Sequence, residues 1–173
     1  MRLPIPALVS VAALCGCFGS CDPPGPPEPE VCDRYSGRDS GLVEAVPRDI
    51  ELGSGRGAAF VPYTADGDVP LVTGGQGAVM IMPVVRSAAD PGVDRACFEV
   101  HIVNTVEGST AYLPELGGGY VFRREGEFLF SDPLFDQLSY ASSEVEGMML
   151  NLEVSVTGGG TTATRSLRVV PRM

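Results

Sequence analysis

Met148-Met149-Leu150-Asn151-Leu152-Glu153-Val154-Ser155-Val156 sets apolar side chains at every second position, Met148, Leu150, Leu152, Val154 and Val156, with Met149, Asn151, Glu153 and Ser155 between them. Successive side chains of an extended strand point to opposite faces, so this period of two specifies a strand with one face in a core and the other in water. Gly158-Gly159-Gly160 then permits a reversal, and Thr161 to Val170, rich in Thr and Val, is expected to return as the partner strand of a terminal hairpin.

The same reading extends upstream. Cys97 to Asn104 places Phe98, Val100 and Ile102 inward and Cys97, Glu99 and His101 outward. Val69 to Val72 follows the Asp66-Gly67-Asp68 turn, in which Asp bonds its own backbone and Gly is expected to take positive φ. The apolar run Ala78 to Val85 contains Pro83, which lacks an amide donor and marks a bulge or a sheet edge. Tyr120 to Phe122 and Glu127 to Phe130 read as a pair around Glu125-Gly126. Ser131-Asp132-Pro133 is expected to open one short helix through Leu138, with Asp132 as its cap. About eight or nine short strands in a unit of roughly 130 residues predict an all-β fold, a two-sheet antiparallel sandwich of immunoglobulin-like architecture.

Composition agrees and narrows function. Gly 22 and Pro 15, beside a hydrophobic fraction of 44%, suit short strands joined by tight turns. The net charge of -10, without a dense basic stretch, excludes the electrostatic footprint of a nucleic-acid binder and disfavours unaided attachment to anionic lipid. All basic side chains are Arg, only Arg123 and Arg124 are adjacent, and the absence of Trp removes the hallmark ring of antibody domains.

Residues 1–16 read as a signal peptide: Met1-Arg2 is a minimal positive start, and Leu3 to Leu14 is apolar but too short to span a bilayer. Leu14-Cys15-Gly16-Cys17 and Phe18-Gly19-Ser20-Cys21 both resemble the bacterial lipobox, which implies lipid on Cys17, the better match, or alternatively on Cys21. Residues 17–41 form a tether and irregular lead-in, with Asp22 to Glu30 proline-rich and stiff, and residues 42–173 form the β domain. Within the domain, Ile50-Glu51-Leu52-Gly53-Ser54-Gly55, Phe60-Val61-Pro62, Asp66-Gly67-Asp68 and Gly74-Gly75-Gln76-Gly77 resemble a group of uncharacterised bacterial lipoproteins. In that group an L-G-x-G strand end leads through a D-G-D turn to a G-P-Q-G-G turn. Here Gly75 stands for the proline and Ala78 for the last glycine. The resemblance adds to the fold argument and implies no activity.

Export also bears on the cysteines. With lipid on Cys21, Cys32 and Cys97 are an even pair in an oxidising compartment; with lipid on Cys17, Cys21 is left over, so parity favours Cys21 against the better lipobox. Under either choice Cys32 to Cys97 is the expected bridge, because Cys97 faces outward where the lead-in can lie across it. His101 is the sole histidine, and no HExxH, CxxC or G-x-S-x-G spacing occurs, so no catalytic residue, no cofactor and no zinc site are expected. Asp66, Asp68, Asp90 and Asp94 are weak candidates for calcium, which takes oxygens from flexible loops. Gly53 to Gly57 and Gly117-Gly118-Gly119 lack the strand-to-helix setting of a phosphate cradle and are expected to be turns. The expected function is a binding or structural module, lipid-anchored in the bacterial envelope and facing the periplasm or the exterior. Its expected partner is an envelope protein or a polysaccharide. The alternative is a calcium-dependent carbohydrate-binding domain or an extracytoplasmic enzyme with an acidic loop site.

Overall fold

The computed structural model describes residues 30–32, 42–74, 77–107, 113, 115–139 and 141–173. The expected signal peptide, most of the expected tether and lead-in, and Cys15, Cys17 and Cys21 lie outside the described residues. In chain order the strands are β1 Glu51–Ser54, β2 Val61–Pro62, β3 Gly67–Pro70, β4 Val72–Thr73, β5 Val79–Ile81, β6 Val84–Ala88, β7 Arg95–Val106, β8 Leu116–Glu125, β9 Phe128–Phe130, β10 Asp136–Ser139, β11 Leu150–Gly158 and β12 Thr161–Arg172. Two short 3-10 turns, Gly57–Ala59 and Ser142–Glu144, accompany them. The described chain is thus all-β, with twelve strands rather than eight or nine.

A nine-stranded sheet runs β2-β1-β6-β9-β8-β7-β11-β12-β3, and a three-stranded sheet runs β10-β5-β4. The expectation of a wholly antiparallel arrangement is corrected at one pair, since β3 lies parallel to β12. The reason is visible in the link that feeds β3. Tyr63 N donates to Leu52 O on β1, and three residues later Asp66 N donates to Arg168 O on β12. Three residues reach about 10 Å at most. The two ends of the large sheet therefore approach one another, and the sheet is curled rather than flat.

The terminal hairpin has the expected faces. Leu150, Leu152, Val154 and Val156 are wholly buried, while Glu153 is exposed, and β11 pairs with β7 on one side and β12 on the other. Gly159 and Gly160 make the reversal with φ of 52 and 72°. Met148 departs from the alternation: it lies before β11 and is exposed. On β7, Phe98, Val100 and Ile102 are buried, and Phe98 meets Phe122 of β8 edge to face at 4.9 Å. Buried side chains of both sheets belong to one cluster.

Pro83 sits between β5 and β6, where the chain passes from the small sheet to the large one and no ladder donor is needed. The helix expected from Ser131 is not formed. Ser131 N donates to Val85 O, Leu134 N donates to Pro83 O, and the Ser131 hydroxyl accepts from Val85 N, so this segment continues the chain extended into β10. Long-range partners have outcompeted a local cap. Gly117, Gly118 and Gly119 are likewise not a turn but part of β8, opposite His101, Val100 and Glu99. Gly53 is in β1, whereas Gly55 and Gly57 do turn the chain. In the Asp66-Gly67 turn it is Asp66 that takes positive φ, at 60°. Gly67 is required there for space, since a Cβ would stand 2.3 Å from Thr64 Oγ1.

Candidate functional site

The outward side chains of β7, β11 and β12 form a polar face whose order follows from register. Thr105, Asn151 and Arg168 stand in one row, Val103, Glu153 and Ser166 in the next, then His101, Ser155 and Thr164, then Glu99, Thr157 and Thr162. The hydroxyls interact along the hairpin: Thr157 and Thr162 Oγ1 are 2.8 Å apart, and the Ser155 and Thr164 hydroxyls 3.4 Å. A groove of about 270 Å³ lies among Val103, Thr105, Asn151, Glu153, Ser166 and Arg168. Beyond His101 the face steps down onto Gly117 and Gly119, which carry no side chain.

Charge on this face is mixed. Arg168 is held by Asp66 at 2.8 Å, and that carboxylate, by hydrogen bond first and charge second, raises the guanidinium's already high pKa. His101 Nε2 lies 3.1 Å from Glu115 Oε2, so the outward histidine does have a carboxylate neighbour, though it is Glu115 and not the Glu99 beside it in sequence. None of the strand positions forming the rows carries Phe, Tyr or Trp, so the broad rings on which sugars usually stack are lacking among them. Hydrogen bonding and charge are what this surface offers.

The four aspartates considered for calcium are not brought together. Asp66 and Asp68 face Arg168 and Arg172 beside β12, whereas Asp90 and Asp94, in the link between β6 and β7, face Arg48 and Arg124. Among the described residues no group of three or more His, Cys, Asp or Glu is placed to hold a metal ion.

Cys32 and Cys97 form a disulfide, with Cα atoms 6.0 Å apart. The sequence reading missed what seats it. Cys32 N donates to Gly119 O and Val121 N donates to Glu30 O, so residues 30–32 lie along β8 at Gly119 to Val121, ahead of the part that β9 pairs. A Cβ at Gly119 would touch the Cys32 Cβ at 3.4 Å, an ordinary contact, so the bridge packs directly against this strand position. Glu30 also pairs with Arg95 and Arg123, Arg123 with Asp132, Asp132 with Arg56, and Arg56 with Glu125. Three arginines and three carboxylates thus bind Glu30 to β7, β8 and the turns beside them. Beside them Arg86 lies between the Phe60 and Phe128 rings, 4.3 and 4.2 Å from their centroids, and pairs with Glu51. The partners are scattered along the chain, so no local motif paired them.

No family model matches the chain, and no curated protein matches it. Among solved structures it is similar to a DUF4466 family protein from Parabacteroides merdae, with 12% identity and a TM-score of 0.29 over 71% of this chain. The chain spans 44% of the length of that protein.

Proposed function

We propose that this protein is an envelope-anchored binding or structural module that presents the outer face of β7, β11 and β12 to a protein or polysaccharide. The observation that carries the reading is the set of exposed hydrogen-bonding side chains in register around the groove at Glu153, Ser166 and Arg168. A face contact is favoured over strand addition, because the edge strands of the large sheet are short and carry Pro62 and Pro70. The anchor is a lipid on Cys17, or on Cys21, and the location is the bacterial envelope, facing the periplasm or the exterior. The signal-like start and the cysteine pair support that address. The finer architectural reading, an immunoglobulin-like sandwich, is supported by the one buried cluster that the two sheets share.

Two measurements test this. Fatty-acid labelling and detergent-phase partitioning of the full chain should be lost on replacing Cys17 or Cys21 by Ser; retention of a lipid label in the double variant overturns the anchor. Co-sedimentation with isolated cell-wall polysaccharide, and crosslinking in intact envelopes, should weaken for Glu153→Arg and Ser166→Arg but not for Glu127→Arg, an exposed position in the β8–β9 turn. Equal behaviour of all three variants overturns the choice of face.

A further inference from the structure

Asp136 of β10 is wholly buried, and Asn104 of β7 is 4% exposed. Asn104 Nδ2 donates to both carboxyl oxygens of Asp136, at 2.9 and 2.8 Å. The other end of the same amide is worse off, since Asn104 Oδ1 is buried without a partner. Among the described residues the groups around the carboxyl supply no positive charge. β5 offers its backbone at Ile81, the β2–β3 link offers the Tyr63 phenol, and β8 offers the Tyr120 phenol, with Glu99 on β7 beyond it. Among the described residues no arginine or histidine forms an ion pair with Asp136.

A buried carboxylate served by one amide group is poorly compensated, and an orphaned amide oxygen adds a second cost. One proton taken from solvent removes both. A carboxylic acid facing a primary amide can donate its O–H to the amide oxygen while its other oxygen accepts an amide N–H, which closes a ring of two hydrogen bonds. We propose that Asp136 is a neutral acid that pairs in this way with Asn104 once the amide turns its unpartnered oxygen onto the carboxyl, and that loss of its proton unlatches the three-stranded sheet from the large sheet. The pair is suited to that role because Asp136 belongs to the small sheet and Asn104 to the large one. Burial, partly offset by the Asn104 hydrogen bond, pushes the Asp136 carboxyl up from 3.8 to about 7, and burial followed by the Asp136 charge pushes the Tyr63 phenol up to about 12. With the folded value above the unfolded one, the folded state holds the proton more tightly. The contribution of Asp136 is therefore complete below about pH 4 and declines as pH rises towards 7.

The test is the Tm of the full chain from pH 4 to 8, for the native sequence and for Asp136→Asn, which keeps an amide-compatible shape without a titrating proton. The variant should gain on the native protein as pH rises, the difference growing by at least about 5 °C. Parallel curves overturn the proposal. If the variant does not fold, an NMR titration of the Asp136 carboxyl carbon in the native protein decides: a midpoint near 7 supports the acid form, and one in the ordinary carboxylate range overturns it. Unlatching has its own readout. Amide exchange at Gln137 and Leu138 should accelerate across that midpoint beyond the intrinsic rate while Val154 does not, and unchanged protection of β10 overturns the release.

Discussion

The Arg56 guanidinium donates to the Asp132 carboxylate, Nη1 to Oδ1 at 2.7 Å, across 76 residues of chain. Asp132 also accepts from Arg123 and from the backbone N–H of Glu30, so one carboxylate joins the β1–β2 turn, β8 and the segment at Glu30. Its side chain is only 18% exposed, which shields these pairs more than an ordinary surface bridge. Asp132→Ala should therefore cost about 1–3 kcal/mol in urea unfolding, more than the usual surface pair. A cost below about half a kcal/mol would show that the network contributes orientation and not stability.

The Cys32–Cys97 bridge closes a separation of 65 residues. By the chain-entropy estimate its loss should destabilise by about 4 kcal/mol at most. Cys97→Ser, or reduction, should lower the Tm and loosen residues 30–32 from β8, read as faster amide exchange at Cys32 and Val121. Non-reducing peptide mapping should recover Cys32 joined to Cys97. Recovery of Cys32 joined to Cys21 would defeat the pairing and favour lipid on Cys17.

Register on β11 makes neighbouring residues behave oppositely. Leu152→Asp buries an unpaired carboxylate and should destabilise by several kcal/mol, roughly 3 or more, whereas Glu153→Lys should stay within about 0.5 kcal/mol. Chemical denaturation of the two variants checks this, and equal effects would reverse the assignment of faces.

Gly158 and Gly160 also differ. A Cβ at Gly158 would stand 2.5 Å from both Ala45 O and Phe98 Cδ1, whereas Gly160, with φ of 72°, has open space around it. Gly158→Ala should cost about 2–3 kcal/mol through overpacking, and Gly160→Ala about 1 kcal/mol through backbone strain alone. Thermal unfolding should rank them in that order.

Calcium gives a further check. Asp66, Asp68, Asp90 and Asp94 each face an arginine, in two separate places. Millimolar calcium should leave the Tm unchanged, and a rise of several degrees would reinstate the calcium-dependent alternative.

What the sequence by itself determined are the features written in local periodicity. The alternations at Leu150 to Val156 and at Phe98 to Ile102 are legible because one face of each strand is buried, and a period of two leaves no other register. The hairpin at Gly159 and Gly160 and the outward position of Cys97 follow from the same local rule. Tertiary structure alone decided the parallel place of β3, the extended course of Ser131 to Leu134, the strand conformation of Gly117 to Gly119, and the burial of Asp136. Each of these depends on a partner distant in sequence: Arg168 for Asp66, Val85 for Ser131, Glu99 and Cys32 for Gly119, Asn104 for Asp136. The physical reason is that a short polar or glycine-rich segment has several local conformations of similar free energy. Backbone ladders, ion pairs and space supplied by remote residues then choose among them, and no window of neighbouring residues contains that choice.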